Sequence, residues 1–285
     1  MGASRCSGLA GLAQGSVGLS GASGAVADGV LGQSGDRIVV RLENLTVSYR
    51  QHPALHHISG EFAKGSLTAV IGPNGSGKSS LLKTIMGLLP ASGGSVQLAT
   101  GRAAVAYLPQ QSELDRSFPM SVHECVLLGG WGSVGAWGSV DQALLARVSA
   151  AIKAVRLDGF EQRPVGSLSS GQFQRVLFAR MLMQDARLIL LDEPFAAMDS
   201  RTTAALLELI RQWHREGRTV VAVLHDDAQV LANFPQTLLL ARELVAWGAT
   251  ADVLTSANLQ RARALAEAWD DQAEICHTDE HVASP

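Results

Sequence analysis

The sequence predicts an α/β fold built around a mostly parallel core sheet, and three stretches carry that expectation. "SLTAVIG" is an apolar run that enters a glycine-rich loop, and the "SSLLKTIMGLL" that follows has helical spacing ending near Pro90. "ARLILLDEP" and "RTVVAVLHD" are two more continuous apolar runs that end in polar groups, the pattern of central parallel strands buried on both faces. Open sheets of this kind gather ligands at the carboxyl ends of their strands, so the residues that end these runs are the first candidates for chemistry.

With 285 residues, 47% of them hydrophobic, the chain can bury a sizeable core and hold one domain with additions. A formal net charge of -3 and a pI near 6.2 leave no broad basic footprint, so nucleic acid is not an expected partner. Cys6, Cys125 and Cys276 lie far apart with no metal-ligand spacing, so neither a disulfide framework nor a zinc finger is indicated, and a reducing compartment fits best. No apolar run approaches the roughly 18 to 20 residues that cross a bilayer, so the chain is not expected to span one.

Residues 1–36 are mostly Gly, Ser and Ala without helical or strand period, and are read as a disordered leader. They lack the apolar core of a secretory signal, and Cys6 stands where a myristoylation motif takes Ser or Thr. The favoured reading is an extension from an early start codon. Order is expected from "RIVVRLENLTVSYR", where Ile38, Val40, Leu42 and then Leu45, Val47 and Tyr49 alternate as in half-buried strands. At the other end, 251–285 is expected to form a helix after Ser256 and a mobile tail. No internal repeat is visible.

Gly72, Gly77, Lys78 and Ser79 fit the pattern G-x-x-x-x-G-K-[ST], with the strand before it and the helix after it that a phosphate-binding loop needs. Pro73, Asn74, Gly75 and Ser76 fill the loop and Ser80 follows it. Glycines let the backbone wrap closely with its N–H groups inward, Lys78 can reach β- and γ-phosphates, and the Ser79 hydroxyl can ligate Mg²⁺, so ATP and Mg²⁺ are the expected cofactors. The plainer reading is a glycine turn before a helix with a solvated lysine. Asp192, ending "RLILLD", supplies a second carboxylate ligand for the metal, and Glu193 beside it is placed to polarise a water for attack on the γ-phosphate. Neighbouring strand residues point to opposite sides, which would separate the two roles.

At this point the chain resembles the ATP-binding-cassette (ABC) ATPases over about residues 37–250, because "SLSSGQFQRVLFARML" at 167–182 looks like their signature motif and lies shortly before the acidic strand. The resemblance implies a P-loop NTPase of ABC type with a mostly parallel core sheet, an antiparallel β subdomain and a helical subdomain at about 111–166. It implies that Ser169, Gly171 and Gln172 close on ATP held by a second subunit, in a head-to-tail nucleotide-sandwich homodimer. Tyr49 matches the aromatic residue that stacks on adenine, although a strand tyrosine is as often a core residue. Gln110 matches the residue that senses Mg²⁺ and links to the membrane partner, with Gln111 as a neighbour. Asp199 in "AAMDS" matches the loop that communicates across the dimer, and His225 the histidine that contacts the γ-phosphate. One departure stands out: Ser170 occupies a position where the family usually has glycine. If that position required positive φ, the serine would cost about 1 kcal/mol and slow the ATPase.

"FPMSVHECVLLG" and "DEPFAAMD" resemble the zinc, manganese and iron uptake branch, and the stretch through "WHREGRTVVAVLHD" is most similar to zinc-importing members. The resemblance implies a peripheral subunit on the cytoplasmic face of the inner membrane, working with integral membrane permease subunits and a separate solute-binding protein. A manganese or iron importer, and a non-transport ABC ATPase, are the alternatives. The latter usually carries tandem cassettes or a long coiled coil, and this chain shows neither. An inactive cassette would not need Lys78, Asp192, Glu193 and His225 together, and a small-molecule kinase would have no use for the signature helix. Trp131 and Trp137, in a glycine-rich stretch, are candidate anchors for the permease, against the plainer reading of a packed loop. His52, His56 and His57 are read as an exposed turn, and Cys276, His277 and His281 as a frayed tail, ahead of regulatory zinc binding.

Overall fold

The computed structural model describes residues 38–49, 52–110, 116–134, 139–196 and 198–268, without the side chains of Tyr49, His52, Ala103, Ser133 and Val134. The expected leader, Gln111, Trp137 and the tail residues Cys276, His277 and His281 lie outside the described residues, as do the side chains of Tyr49 and His52.

Two antiparallel strands, β1 (Ile38–Tyr49) and β2 (His52–Ala63), open the described fold, followed by β3 (Leu67–Ile71), α1 (Lys78–Met86), β4 (Gly93–Leu98) and β5 (Val105–Leu108). A helical stretch comes next, with α2 (Val122–Leu127), α3 (Trp131–Val134), α4 (Gln142–Ala154) and α5 (Ser170–Gln184). The chain then runs through β6 (Leu188–Asp192), α6 (Ser200–Arg215), β7 (Thr219–Val223), α7 (Asp227–Asn233), β8 (Gln236–Ala241) and β9 (Glu243–Ala249) to α8 (Thr250–Val253) and α9 (Ser256–Glu267). Among the described residues no helix is long and apolar enough to cross a membrane.

The core sheet has the order β5-β6-β7-β3-β8-β9, parallel except for β9 against β8, and a second, antiparallel sheet has the order β2-β1-β4. Because side chains alternate across a strand, each central strand feeds two cores. Ile189, Leu191, Val220 and Ala222 join α2, α4, α5 and α6 residues on one face, whereas Leu188, Leu190, Val221 and Val223 join the antiparallel sheet and Leu81, Leu82 and Ile85 of α1 on the other. This explains the unbroken apolar runs read in the sequence.

One local expectation is explained and two change. The two alternating sets in β1 are out of phase because Asn44, at φ 48°, sits in an irregularity between Leu42 and Leu45. The histidines of "HPALHH" belong to β2, not to an exposed turn: His56 Nδ1 lies 3.6 Å from Glu243, and His57 Nδ1 lies 2.6 Å from Asn44 Oδ1. No cluster of three metal-ligating side chains occurs among the described residues. Helix α1 stops at Met86, short of Pro90, because Gly87 at φ 83° closes it by donating to the Thr84 carbonyl.

Candidate nucleotide site

The loop after β3 is shaped by how closely other backbone approaches it. A Cβ on Gly72 would sit 2.0 Å from the Leu240 carbonyl oxygen, and one on Gly77 would sit 2.2 Å from that of Ala54. Any larger residue would push the loop away from β8 or β2. Gly77, in the left-handed region, caps α1 without a side-chain hydrogen bond, whereas α2, α4, α5, α6, α7 and α9 are each capped by a side chain. The first amides of α1 are thus kept for another acceptor, together with the positive end of the helix dipole. Pro73, Asn74 and Gly75 form the turn of the loop, and the Pro73 carbonyl accepts from the amide of buried Ser76.

Lys78 and Ser79 occupy the first two positions of α1. Lys78 Nζ donates to the carbonyls of Gly72 (3.0 Å) and Pro73 (2.8 Å), so its ammonium is held over the loop. Burial pushes its pKa below the ordinary lysine value, while the negative charges of Glu193 and Asp192 act in the opposite direction. Ser79 Oγ donates to Oδ1 of fully buried Asp192 at 3.0 Å, and Ser80 lies one residue further along the helix.

Asp192 is the last residue of β6, but Glu193 is no longer in the strand. It adopts φ 49°, a left-handed conformation that costs a non-glycine residue roughly 1 to 2 kcal/mol. The turn, rather than strand alternation, sets the direction of its side chain. That side chain is gripped from both sides: Gln110 Nε2 donates to Oε2 at 3.0 Å, and His225 Nε2 lies 2.8 Å from Oε1. Gln110 follows β5 and His225 follows β7, the two strands that flank β6. Sheet order therefore brings Lys78, Ser79, Gln110, Asp192, Glu193 and His225 into one connected group.

Ser169, Gly171 and Gln172 stand apart from this group at the start of α5. Ser169 Oγ accepts from the Gln172 amide (3.3 Å), and Gln172 Oε1 accepts from the Ser169 amide (2.9 Å), a closed capping box. Asp199 caps α6 by accepting from the Thr202 amide (2.9 Å) and hydroxyl (2.7 Å), and these bonds hold its carboxyl below the usual range.

A family model described as ABC transporter matches residues 55–196, from β2 through Glu193. The chain is 39% identical to the manganese transport system ATP-binding protein MntB of Listeria monocytogenes, over 78% of this chain and 95% of that one. It is 40% identical to the zinc transport system ATP-binding protein TroB of Treponema pallidum, over 78% of this chain and 86% of that one. The chain belongs to the ABC transporter ATP-binding family. This ABC ATPase also superposes on a transporter described as metal-chelate type and inward-facing, with TM-score 0.70, 29% identity and coverage of 80% and 89% of the two chains. A dimeric bacterial ABC transporter cassette gives TM-score 0.67 at 25% identity, covering 74% of this chain and 98% of that one.

Within this ABC ATPase, Ser170 is the first residue of α5 and is not among the positive-φ residues. The premise of a backbone penalty at Ser170 is removed: a helical N-terminus accepts serine without strain. Sequence reading passed over Tyr107, whose hydroxyl donates to Asp192 Oδ2 at 3.5 Å; a tyrosine inside the apolar run "VAYL" was its only sign. It also passed over Gln174, buried in α5, whose amide donates to the Pro194 carbonyl at 3.3 Å and so ties the signature helix to the turn after Glu193. The oxygen donors of Ser79 and Asp192 suit a hard cation such as Mg²⁺, and the glycine-shaped loop with its uncapped helix suits phosphate.

Proposed function

We propose that this ATPase is the subunit that energises a metal-ion ABC importer from the cytoplasmic face of the membrane, with zinc as cargo. Manganese is the second reading, and the relatives favour it equally, since both zinc and manganese transport proteins match at 37 to 40% identity. Support for zinc comes from the likeness of residues around 190–226 to zinc-importing members. The importer reading places the chain beside permease subunits and a separate solute-binding protein.

The observation that carries the catalytic reading is the grip of Gln110 and His225 on Glu193, next to the Lys78 loop. In this reading the loop amides and Lys78 bind the β- and γ-phosphates, Lys78 exchanging its carbonyl partners for phosphate oxygens. Mg²⁺, held by Ser79 and Asp192 with Gln110 beside them, would neutralise phosphate charge. Glu193 takes the proton of the attacking water, and His225 orients Glu193 and meets the γ-phosphate. Tyr49 stacks on the base, Asp199 faces the second subunit, and Ser169, Gly171 and Gln172 present the start of α5 to the nucleotide of that subunit, completing a sandwich homodimer.

The test is uptake of zinc and of manganese in a strain lacking this chain, complemented with the native form or with Glu193→Gln. Loss of the base should lower ATP turnover by roughly 10² to 10⁴ while leaving ATP binding in place. Zinc uptake restored by the native form alone supports the proposal. Manganese restored instead changes the cargo, and equal restoration by both forms ends the claim that hydrolysis drives transport.

A further inference from the structure

The turn between β8 and β9 belongs to none of the motifs, yet it touches both the phosphate loop and β2. Arg242, at φ 61°, occupies a left-handed position that favours glycine. Its amide donates to the Ser76 carbonyl at 3.0 Å, and its Nε lies 3.3 Å from the Gly75 carbonyl, both in the phosphate loop. The other arm of the guanidinium reaches the carbonyl of Pro53 in β2 at 3.4 Å, and the Arg242 carbonyl accepts from the His56 amide at 2.8 Å. Glu243 adds its contact with His56.

We propose that Arg242 is a positioning residue that couples the β1–β2 hairpin to the phosphate loop, so that the base contributes to ATP affinity only while this link holds. The rigid planar fork of arginine can serve two carbonyls from separate segments at once, which a lysine cannot do in the same geometry. Glycine would fit the backbone of this turn better, so the arginine contributes through its side chain. The proposal rests on the reading that the hairpin, through Tyr49, contacts adenine.

The test compares ATP with inorganic tripolyphosphate, which has the phosphates but no base, in native protein and in Arg242→Gly, Arg242→Ala and Tyr49→Ala. Arg242→Gly keeps the left-handed turn and its backbone bonds and removes only the guanidinium; Arg242→Ala repeats the loss without glycine's added freedom. We expect the KM for ATP to rise roughly tenfold in both Arg242 variants, the loss of a charge-assisted contact, with kcat within about twofold. Inhibition by tripolyphosphate should be unchanged. Equal weakening of ATP and tripolyphosphate overturns the proposal, because Arg242 would then serve the phosphate loop alone. A change with Tyr49→Ala and none with either Arg242 variant also overturns it and leaves the site reading intact. No change with any variant overturns the role of the hairpin itself, and the coupling with it.

Discussion

Lys78 shows how a single residue ties the site to solution pH. Burial lowers its pKa in the folded chain from the ordinary value near 10.5, so between the two values the unfolded chain binds more protons. Folding stability from this group therefore rises with pH across that window. Triphosphate favours the ammonium, so ATP binding must raise the pKa and take up protons: affinity is greatest below the lowered value and declines as pH climbs through it. Titration calorimetry on the alkaline side, below the ordinary lysine value, in two buffers with different ionisation heats, should give net proton uptake on ATP binding; identical heats would contradict this. Ser170 makes a second case. Since it is helical, Ser170→Gly should leave ATP turnover within about twofold and lower stability by up to about 1 kcal/mol, as glycine does in a helix, which thermal melting would read. A marked gain in turnover would mean the serine obstructs the site in some other way. The residues legible in sequence were those with fixed spacing, such as Gly72, Gly77 and Lys78. Arg242, Tyr107 and the left-handed turn at Glu193 were not, because each depends on contacts between segments far apart in the chain.

At the scale of elements, the segment between β5 and β6 exposes two large aromatic side chains. Phe118 is 64% exposed and Trp131 58%, on either side of α2, whose own face is buried against α5. Exposed aromatic side chains of this kind are enriched where partners dock. Replacing both Phe118 and Trp131 with Ala should weaken co-purification with the permease by roughly tenfold or more, as loss of aromatic anchors does, and leave ATP turnover of the isolated chain unchanged. Undiminished co-purification would place the contact elsewhere. Element by element, the buried strands β3, β6 and β7 were readable because each is apolar on both faces. Strand β2 was hidden by its histidines, and α8 by its four residues, too short for a periodic signal.

For the whole molecule, the capping box at the start of α5 and the group around Glu193 lie on different elements, and the proposed sandwich dimer would bring them together around ATP. Glu193→Gln, with ATP bound and hydrolysis blocked, should elute from a sizing column as a dimer in ATP and as a monomer without it; a monomer in both would count against the sandwich. The fold class was legible because a parallel sheet writes its burial directly into the chain. The position of the antiparallel sheet was less so, since its packing partner is the reverse side of the same strands. That arrangement has a consequence for how the molecule comes apart. Val220 and Ala222 belong to one core while Val221 and Val223 belong to the other, so β7 cannot leave one without abandoning both. The two cores share a party wall, and heating should dissolve them in one cooperative step, so that damage done beneath the antiparallel sheet is felt at once under the helices across from it.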